Sequence, residues 1–193
     1  MENTIVISAT QLKNTPFSYQ CFGKLCYDFS VLNDVRVNVD FVHVTFIAGN
    51  FFSIIGCIFS TFSANNNLEI HVKNLHPEIA QVMGKNGFSR YFSNIKTEKN
   101  PNDSVIPYQI FNNHEIDLFK EHITIHLLQH NGMPQMSVPL KNRITDNLLE
   151  IFGNVRDHSV HSMVYSCGQY FHRNKMLRFS IVDIGTTIRR NVE

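Results

Sequence analysis

The chain has 193 residues, of which 43% are hydrophobic and 17% are charged, and its formal net charge at pH 7 is +1. This apolar content is enough for a packed core, so the composition excludes an intrinsically disordered chain, and the length allows one large domain or two small ones. The near-zero net charge, without any basic run, gives no electrostatic basis for nucleic-acid binding.

The N-terminal segment, residues 1–35, begins Met-Glu-Asn-Thr-Ile-Val and lacks the basic and apolar regions of a signal peptide. Its short apolar runs at 5–7 and 22–29 predict edge strands or a capping segment. The four cysteines of the chain form neither a Cys-x-x-Cys pair nor a zinc-binding spacing. We therefore expect a reducing, cytoplasmic location.

Residues 36–93 alternate between strand and helix patterns. VNVDFVHVTFI at 37–47 predicts a buried strand, and residues 51–62 carry Phe and Ile at helical spacing. LEIHV at 68–72 predicts a second strand, and Pro77 begins a helix that stops at Gly84 or Gly87. The face of residues 51–62 opposite its apolar stripe carries Ser53, Gly56, Cys57 and Ser60. This alternation predicts an α/β unit with a largely parallel sheet.

The uncharged run at 44–63 is about as long as a bilayer span, so a transmembrane helix is an alternative for this part of the chain. Its polar side chains, which would be costly in lipid, favour the soluble strand-and-helix interpretation. We therefore expect no membrane association.

Residues 37–92 resemble a STAS domain, the fold of anti-sigma factor antagonists. In that family a strand ends in Phe-Ile-Asp-Ser-Ser-Gly, and the first serine receives phosphate from a partner kinase. Phe46 and Ile47 match this pattern, whereas Ala-Gly-Asn-Phe at 48–51 replaces the acceptor loop. Because phosphoryl transfer needs a nucleophilic oxygen, the resemblance implies that the usual phosphorylation switch is lost.

The second half of the chain begins after residues 94–108, a polar stretch with two prolines that predicts a linker. Residues 115–130 then predict a helix with Ile116, Phe119, Ile123 and Leu127 on one face. A further helix is predicted at 141–158. Two strands, at 163–166 and 176–183, are predicted to be joined by a turn at 173–175.

The helix at 141–158 separates apolar from chemically active side chains. By the i, i+4, i+7 rule one face collects Glu150, Asn154, Asp157 and His158. Leu148, Phe152 and Val155 point elsewhere, toward a core. A carboxylate can activate water or a hydroxyl, and an amide oxygen is a ligand that Mg²⁺ accepts.

This helix, LLEIFGNVRDHS at 148–159, resembles the N-box of the GHKL ATPase superfamily, and FSIVDIGTT at 179–187 resembles its G1 box, although Thr187 replaces the second glycine. The resemblance implies that Glu150 is the general base and that Asn154 holds Mg²⁺. It also implies that Asp157 and His158 line the nucleotide pocket. Asp183 would accept a hydrogen bond from the adenine amino group, with Gly185 letting the backbone approach the ring.

Together these resemblances predict an α/β protein with an N-terminal edge segment (1–35), a STAS-like domain (36–93), a linker (94–108) and a partial GHKL ATPase sandwich (109–193). They imply an ATP- and Mg²⁺-dependent cytoplasmic regulator, such as an anti-sigma-type serine kinase or an ATP-driven switch, with a protein partner. The phosphate-binding loops do not appear before Glu193, so we expect this stretch alone to bind ATP poorly and to be inactive.

Two alternatives remain open. The chain could be a non-enzymatic scaffold for protein interaction, and it could form a homodimer. His122, His126 and His130 recur at intervals of four and could bind Zn²⁺, although we expect them to flank a core stripe because structural zinc usually needs four ligands.

Overall fold

The computed structural model describes residues 3–91, 104–158 and 163–184, with side chains in the last turn before residue 159 described only through Val155. The chain is a mixed α/β protein with small sheets, as the sequence predicts. The first sheet contains β1 (Asn3–Val6), β3 (Arg36–Asp40) and β5 (Glu69–Lys73), which run parallel in the order β1-β3-β5. The predicted parallel sheet is thus confirmed. A short parallel pair, β2 (Gln11–Leu12) and β4 (Phe46–Ile47), lies beside it.

Two helices cover one face of the first sheet. They are α1 (Pro16–Ser30) and α2 (Phe52–Asn65), and the sequential strand order places both on the same face because β-α-β crossovers are right-handed. Phe29 of α1 packs edge-on against Phe62 of α2 with ring centroids 5.5 Å apart. Val37 and Val39 of β3 point into this layer and are fully buried.

Helix α1 corrects the prediction of edge strands or a capping segment for the first 35 residues. The apolar run at 22–29 lies on this helix, where Phe22, Leu25 and Phe29 are buried at a spacing of three and four residues. Thr15 caps its start by accepting a hydrogen bond from Ser18 N, and Pro16 occupies the first turn. The predicted strands exist only as β1 and β2.

The single strand predicted at 37–47 is also wrong in part, because the chain turns between β3 and β4. Val42 N donates to Asp40 Oδ1 at 2.9 Å, and Val44 N donates to Phe41 O at 2.8 Å. A side-chain acceptor two residues back is how aspartate competes with a strand ladder. The predicted helix at 77, by contrast, is confirmed as α3 (Pro77–Lys85), and Gly87 follows it with a φ of 81°.

The second sheet is antiparallel, with β6 (Val105–Asn112), β7 (Met163–Phe171) and β8 (Met176–Val182) in the order β6-β7-β8. β6 begins inside the predicted linker 94–108, most of which lies outside the described residues. One face of this sheet carries α4 (Ile116–His122), a π-helical segment (Ile123–Leu128) and α5 (Val138–His158). The predicted helices and the predicted hairpin are therefore present.

Helix α2 lies between the two sheets. Its apolar stripe packs on the first sheet and α1, and its small-residue face packs on the second sheet. Ser53 and Cys57, expected opposite the core, are 0% and 2% exposed. Gly56 lies so close to Tyr108 of β6 that an added Cβ would be 2.1 Å from the tyrosine oxygen. The regions predicted as STAS-like and GHKL-like therefore share a continuous core.

In the part of the chain that the structure describes, no helix is long and apolar enough to cross a bilayer. The apolar run at 44–63 is instead divided between β4 and α2.

Candidate functional site

Helix α5 separates its core residues from its predicted site residues. Phe152 and Val155 are 0% and 6% exposed, while Glu150 and Asn154 lie on the exposed side. Phe152 stacks on Phe119 of α4 with ring centroids 4.5 Å apart. The aromatic stack fixes the rotation of α5, so Glu150 and Asn154 share one outward face, one helical turn apart.

The hairpin of β7 and β8 carries the predicted G1 residue. Leu177, Phe179 and Ile181 of β8 all pack on the α5 side of the sheet, because alternate residues of a strand share one face. The last residue pair of the hairpin is Tyr165 with Val182, and Asp183 follows directly, half-buried.

Chain connection and register place residues 154 and 183 at the same end of the layer formed by α5 and the second sheet, but Asn154 lies on the exposed face of α5, opposite Phe152 and Val155, and is not brought into contact with Asp183. Val155, next to Asn154, packs in one cluster with Val164 at the start of β7. In the antiparallel register Tyr165 pairs with Val182. Asp183 is the next residue after Val182, and Val164 is the residue before Tyr165, so Asp183 and Val164 lie at the same end of the hairpin. Glu150 lies one turn, about 6 Å, further from this end.

The remaining predicted site residues are only partly described. Asp157 and His158 belong to the last turn of α5, but their side chains lie outside the described part of the chain. Gly185 lies outside it entirely. The complete set of predicted nucleotide-binding residues therefore stays a prediction.

Asp183 also influences the layer on the other side of the sheet. Burial, together with the nearby Asp183 carboxylate, raises the pKa of the Cys57 thiol on α2 to about 12. If β8 continued, strand alternation would direct the side chain of residue 183 toward α5. Because β8 ends at Val182, the side chain of Asp183 is not bound by this alternation. Asp183 thus lies at the end of the sheet, within electrostatic range of α2.

The turn at 49–51, where the sequence departs from the STAS pattern that it was expected to resemble, is buried under the second sheet. Gly49–Phe51 form one 3-10 turn, in which Gly49 N donates to Gln169 Oε1 at 2.8 Å. Asn50 Nδ2 donates to Ser180 Oγ at 3.1 Å. The Cys167 thiol donates to Gly49 O at 3.0 Å and accepts from Ser53 N at 3.1 Å. The second half of the chain therefore covers this turn.

Ser53, the nearest hydroxyl to that turn, is fully buried and donates from Oγ to Asn50 O at 2.7 Å. A kinase needs the hydroxyl exposed and free of such a bond. The structure thus gives this serine a structural role at the start of α2.

A cleft of about 340 Å³ between β6 and the α4 face was not predicted from the sequence. Glu115, Glu121, His122 and His126 contribute its titratable side chains. The spacing of the two histidines was noted in the sequence, but the cleft depends on how α4 packs against the edge of β6. Packing between two separate elements of the chain leaves no periodic pattern within either element from which the cleft could be predicted.

The two cleft histidines have perturbed titration. His122 is 8% exposed, and burial followed by the neighbouring His126 lowers its pKa to about 4. Its Nε2 lies 3.4 Å from Ser166 Oγ, a long contact for a hydrogen bond. Burial also lowers the pKa of His126. Across residues 3–91, 104–158 and 163–184, no group of three or more His, Cys, Asp or Glu side chains is arranged to hold a metal ion.

Comparison with protein-family models, curated proteins and solved structures finds no match to this chain.

Proposed function

We propose that the end of the α5–hairpin layer is an adenine-nucleotide site of GHKL type and that the chain belongs to an ATP-dependent regulatory protein. The observation that supports this proposal is the order along the chain of a Glu-x-x-x-Asn helix, with Glu150 and Asn154 one turn apart on one face, and a strand that ends at Asp183. A polar helix face, a hairpin and a strand-end aspartate follow one another in the chain, and register brings the first and last to one end. The order of these elements is that of the N-box and G1 box.

Each residue has a distinct role in this proposal. Asp183 accepts a hydrogen bond from the adenine amino group, and Asn154 supplies an oxygen ligand to Mg²⁺. Glu150, exposed one turn away, polarises the attacking water or the hydroxyl of a protein substrate. Such chemistry supports a serine kinase or an ATP-driven switch. Asp157, His158 and Gly185 complete the proposed pocket.

Nuclear magnetic resonance can detect the weak binding expected of this stretch. We expect Mg-ATP at about 5 mM to shift backbone amide signals at 150–158 and 182–185, since millimolar affinity corresponds to only about 4 kcal/mol. Asp183→Asn should reduce the shifts most, because its amide can present a donor where the adenine amino group needs an acceptor. Asp28→Asn, on α1, is the matched control and should leave them unchanged. Shifts confined to other regions, or none at this concentration, would refute the proposal.

Hydrolysis separates the roles of the two helix residues. In the ATP-dependent regulatory protein to which we propose that the chain belongs, Glu150→Ala should remove turnover and largely retain ATP binding, because a general base acts in the transition state. Asn154→Ala should reduce Mg²⁺-dependent binding and turnover together. Normal hydrolysis in both variants and in Asp183→Asn would exclude the enzymatic proposal.

A second candidate, a non-enzymatic interaction scaffold, is supported by a separate observation. The turn at 49–51 is buried by contacts with Gln169, Ser180 and Cys167, so direct side-chain contacts join the two halves of the chain. If Asp183→Asn abolished binding of a protein partner in the absence of nucleotide, the scaffold would be favoured.

A further inference from the structure

The cleft between β6 and α4 has the size of a small-molecule site. Its volume is about 340 Å³, within the range of about 300–1,000 Å³ that is typical of ligand pockets. Gln109, Ile110 and Phe111 of β6 form one wall, and residues of α4 and the π-helical segment form the other. It includes neither Glu150 and Asn154 nor Asp183, so it is separate from the proposed nucleotide site.

The β6 edge beside the cleft leaves little room for an added strand. Tyr108 N donates to Asn86 O at 2.7 Å, and Asn112 N donates to Glu115 Oε2 at 2.8 Å. Alternate residues of a strand direct their backbone groups to the same edge, so only Ile110 lies between these two occupied positions. The geometry therefore favours a compact molecule over an extended peptide.

The charged side chains of the cleft determine whether it can bind a cation or an anion. Glu115 and Glu121 contribute two carboxylates, and no lysine or arginine is found among the described residues that line it. The imidazoles of His122 and His126 do not offset these charges at neutral pH, because burial lowers the pKa of both. Glu115 accepts a hydrogen bond from Asn112 N through Oε2, and its second carboxylate oxygen can accept from a ligand. An anion would be repelled here.

The walls supply apolar contact beside these charges. Leu118 and Ile125 line the cleft and are 52% and 46% exposed. Ile125 and His126 belong to the π-helical segment, whose wide turns are rare and occur frequently at functional sites. The centroid of the Phe111 ring lies 5.4 Å from the centroid of the His122 ring, and these two buried rings form the inner end of the cleft.

From these features we propose that the cleft binds a small cation in which an amidinium, guanidinium or ammonium group is attached to a compact apolar body. The charged group contacts a carboxylate of the cleft, Glu115 or Glu121, and the apolar body contacts Leu118 and Ile125. The buried imidazole of His122 provides a neutral hydrogen-bonding group at the inner end. This binding does not depend on the nucleotide site.

Three isosteric probes test the proposal by amide-resolved nuclear magnetic resonance: benzamidine, the neutral benzamide and the anionic benzoate. We expect benzamidine to shift signals at 109–111 and 115–126 with a dissociation constant of about 1 mM. Benzamide should bind at least about tenfold more weakly, and benzoate should not bind. Equal binding of benzamide, shifts elsewhere, or no shifts up to about 10 mM benzamidine would overturn the proposal.

Variants of the cleft identify the binding groups. Glu121→Gln should weaken benzamidine about threefold, as expected for a partly exposed charge, and Glu115→Gln with Glu121→Gln about tenfold. Glutamine at 115 can still accept from Asn112 N, so the fold is retained. Glu78→Gln, the same change on exposed α3, should have no effect. Ile125→Arg places a cation in the cleft and should abolish binding, with circular dichroism as the fold control. Unchanged affinity in the double glutamine variant would refute the assigned site.

Discussion

The contact between Gly56 and Tyr108 gives a direct test of the shared core. An alanine Cβ at position 56 would lie 2.1 Å from Tyr108 Oη and 2.7 Å from Cζ, far inside van der Waals contact. The tyrosine is only 3% exposed, and its ring packs at 4.9 Å from Phe88 and 5.1 Å from Tyr91. The ring therefore has little space into which it can move, and Gly56→Ala forces a displacement between α2 and β6.

The expected cost follows from two opposing effects. Overpacking of a filled core costs about 1–3 kcal/mol, and replacing glycine by alanine within a helix returns about 1 kcal/mol. Because the clash falls on a ring with little space to move, we expect the upper part of the overpacking range, about 2–3 kcal/mol, and hence a net loss of about 1–2 kcal/mol in the free energy of unfolding. For a chain of this size that corresponds to a fall of about 2–8 °C in Tm.

Equilibrium urea unfolding measures this loss. Far-ultraviolet circular dichroism is a suitable signal because the chain has no tryptophan for fluorescence. Gly23→Ala and Gly153→Ala are matched controls, because each lies in a helix with nothing within 4 Å of the added Cβ. Both should be neutral or stabilising by up to about 1 kcal/mol.

Tyr108→Phe provides a rescue of the same contact. The Tyr108 hydroxyl is buried without a hydrogen-bond partner among the described residues, so its removal should not destabilise the protein. Combined with Gly56→Ala it should recover about 1 kcal/mol, a coupling that direct contact produces. If Gly56→Ala were as stable as the two glycine controls, the packing of α2 on the second sheet would be wrong.

Three further predictions concern buried groups. Because burial lowers the folded-state pKa of His122 to about 4 from an ordinary value near 6.5, the unfolded chain binds the extra proton first, so stability should fall as pH decreases from about 6.5 to about 4. Between these pH values the free energy of unfolding of His122→Gln should fall by about 2–3 kcal/mol less than that of the original protein, as measured by urea unfolding at several pH values. If the two proteins lost stability in parallel as the pH fell, the burial of His122 would be contradicted. Burial raises the thiol pKa of Cys57 and of Cys167 to about 12, so both should react with a thiol reagent only in urea. Fast reaction of all four thiols in the folded protein would show that the core is open. Cys167→Ala should cost about 1–3 kcal/mol, since it leaves Gly49 O and Ser53 N without this partner, and a neutral result in urea unfolding would contradict those bonds.

Local patterns in the sequence predicted most of the individual elements. Phe and Ile at helical spacing identified α2, and the turn at 173–175 identified the hairpin of β7 and β8. Helix α1 was missed because a short apolar run with Gly23 inside it fits a strand as well as a helix. The break after β3 was missed because it depends on the hydrogen bond that Val42 N donates to Asp40 Oδ1 and on the turn bond from Val44 N to Phe41 O, which leave no periodic pattern in the sequence.

The candidate site was predictable only where it depends on local spacing. The shared face of Glu150 and Asn154 follows from helix periodicity, and the position of Asp183 at a strand end follows from the run of strand-forming residues at 176–182 that precedes it. The burial of Ser53 and Cys57 was not predictable, because the sheet that covers them lies more than 100 residues later in the chain. The same applies to the cleft beside β6.

The position of α2 between the two sheets has a consequence for biosynthesis. The hydrogen bond from Gly49 to Gln169 spans 120 residues, and that from Asn50 to Ser180 spans 130. While the chain emerges from the ribosome, the small-residue face of α2 has no cover until β7 has been made. Contacts of such high sequence separation slow folding and expose apolar surface meanwhile. The nascent first half therefore keeps this face of α2 uncovered until the hairpin of β7 and β8 has been made and packs on it.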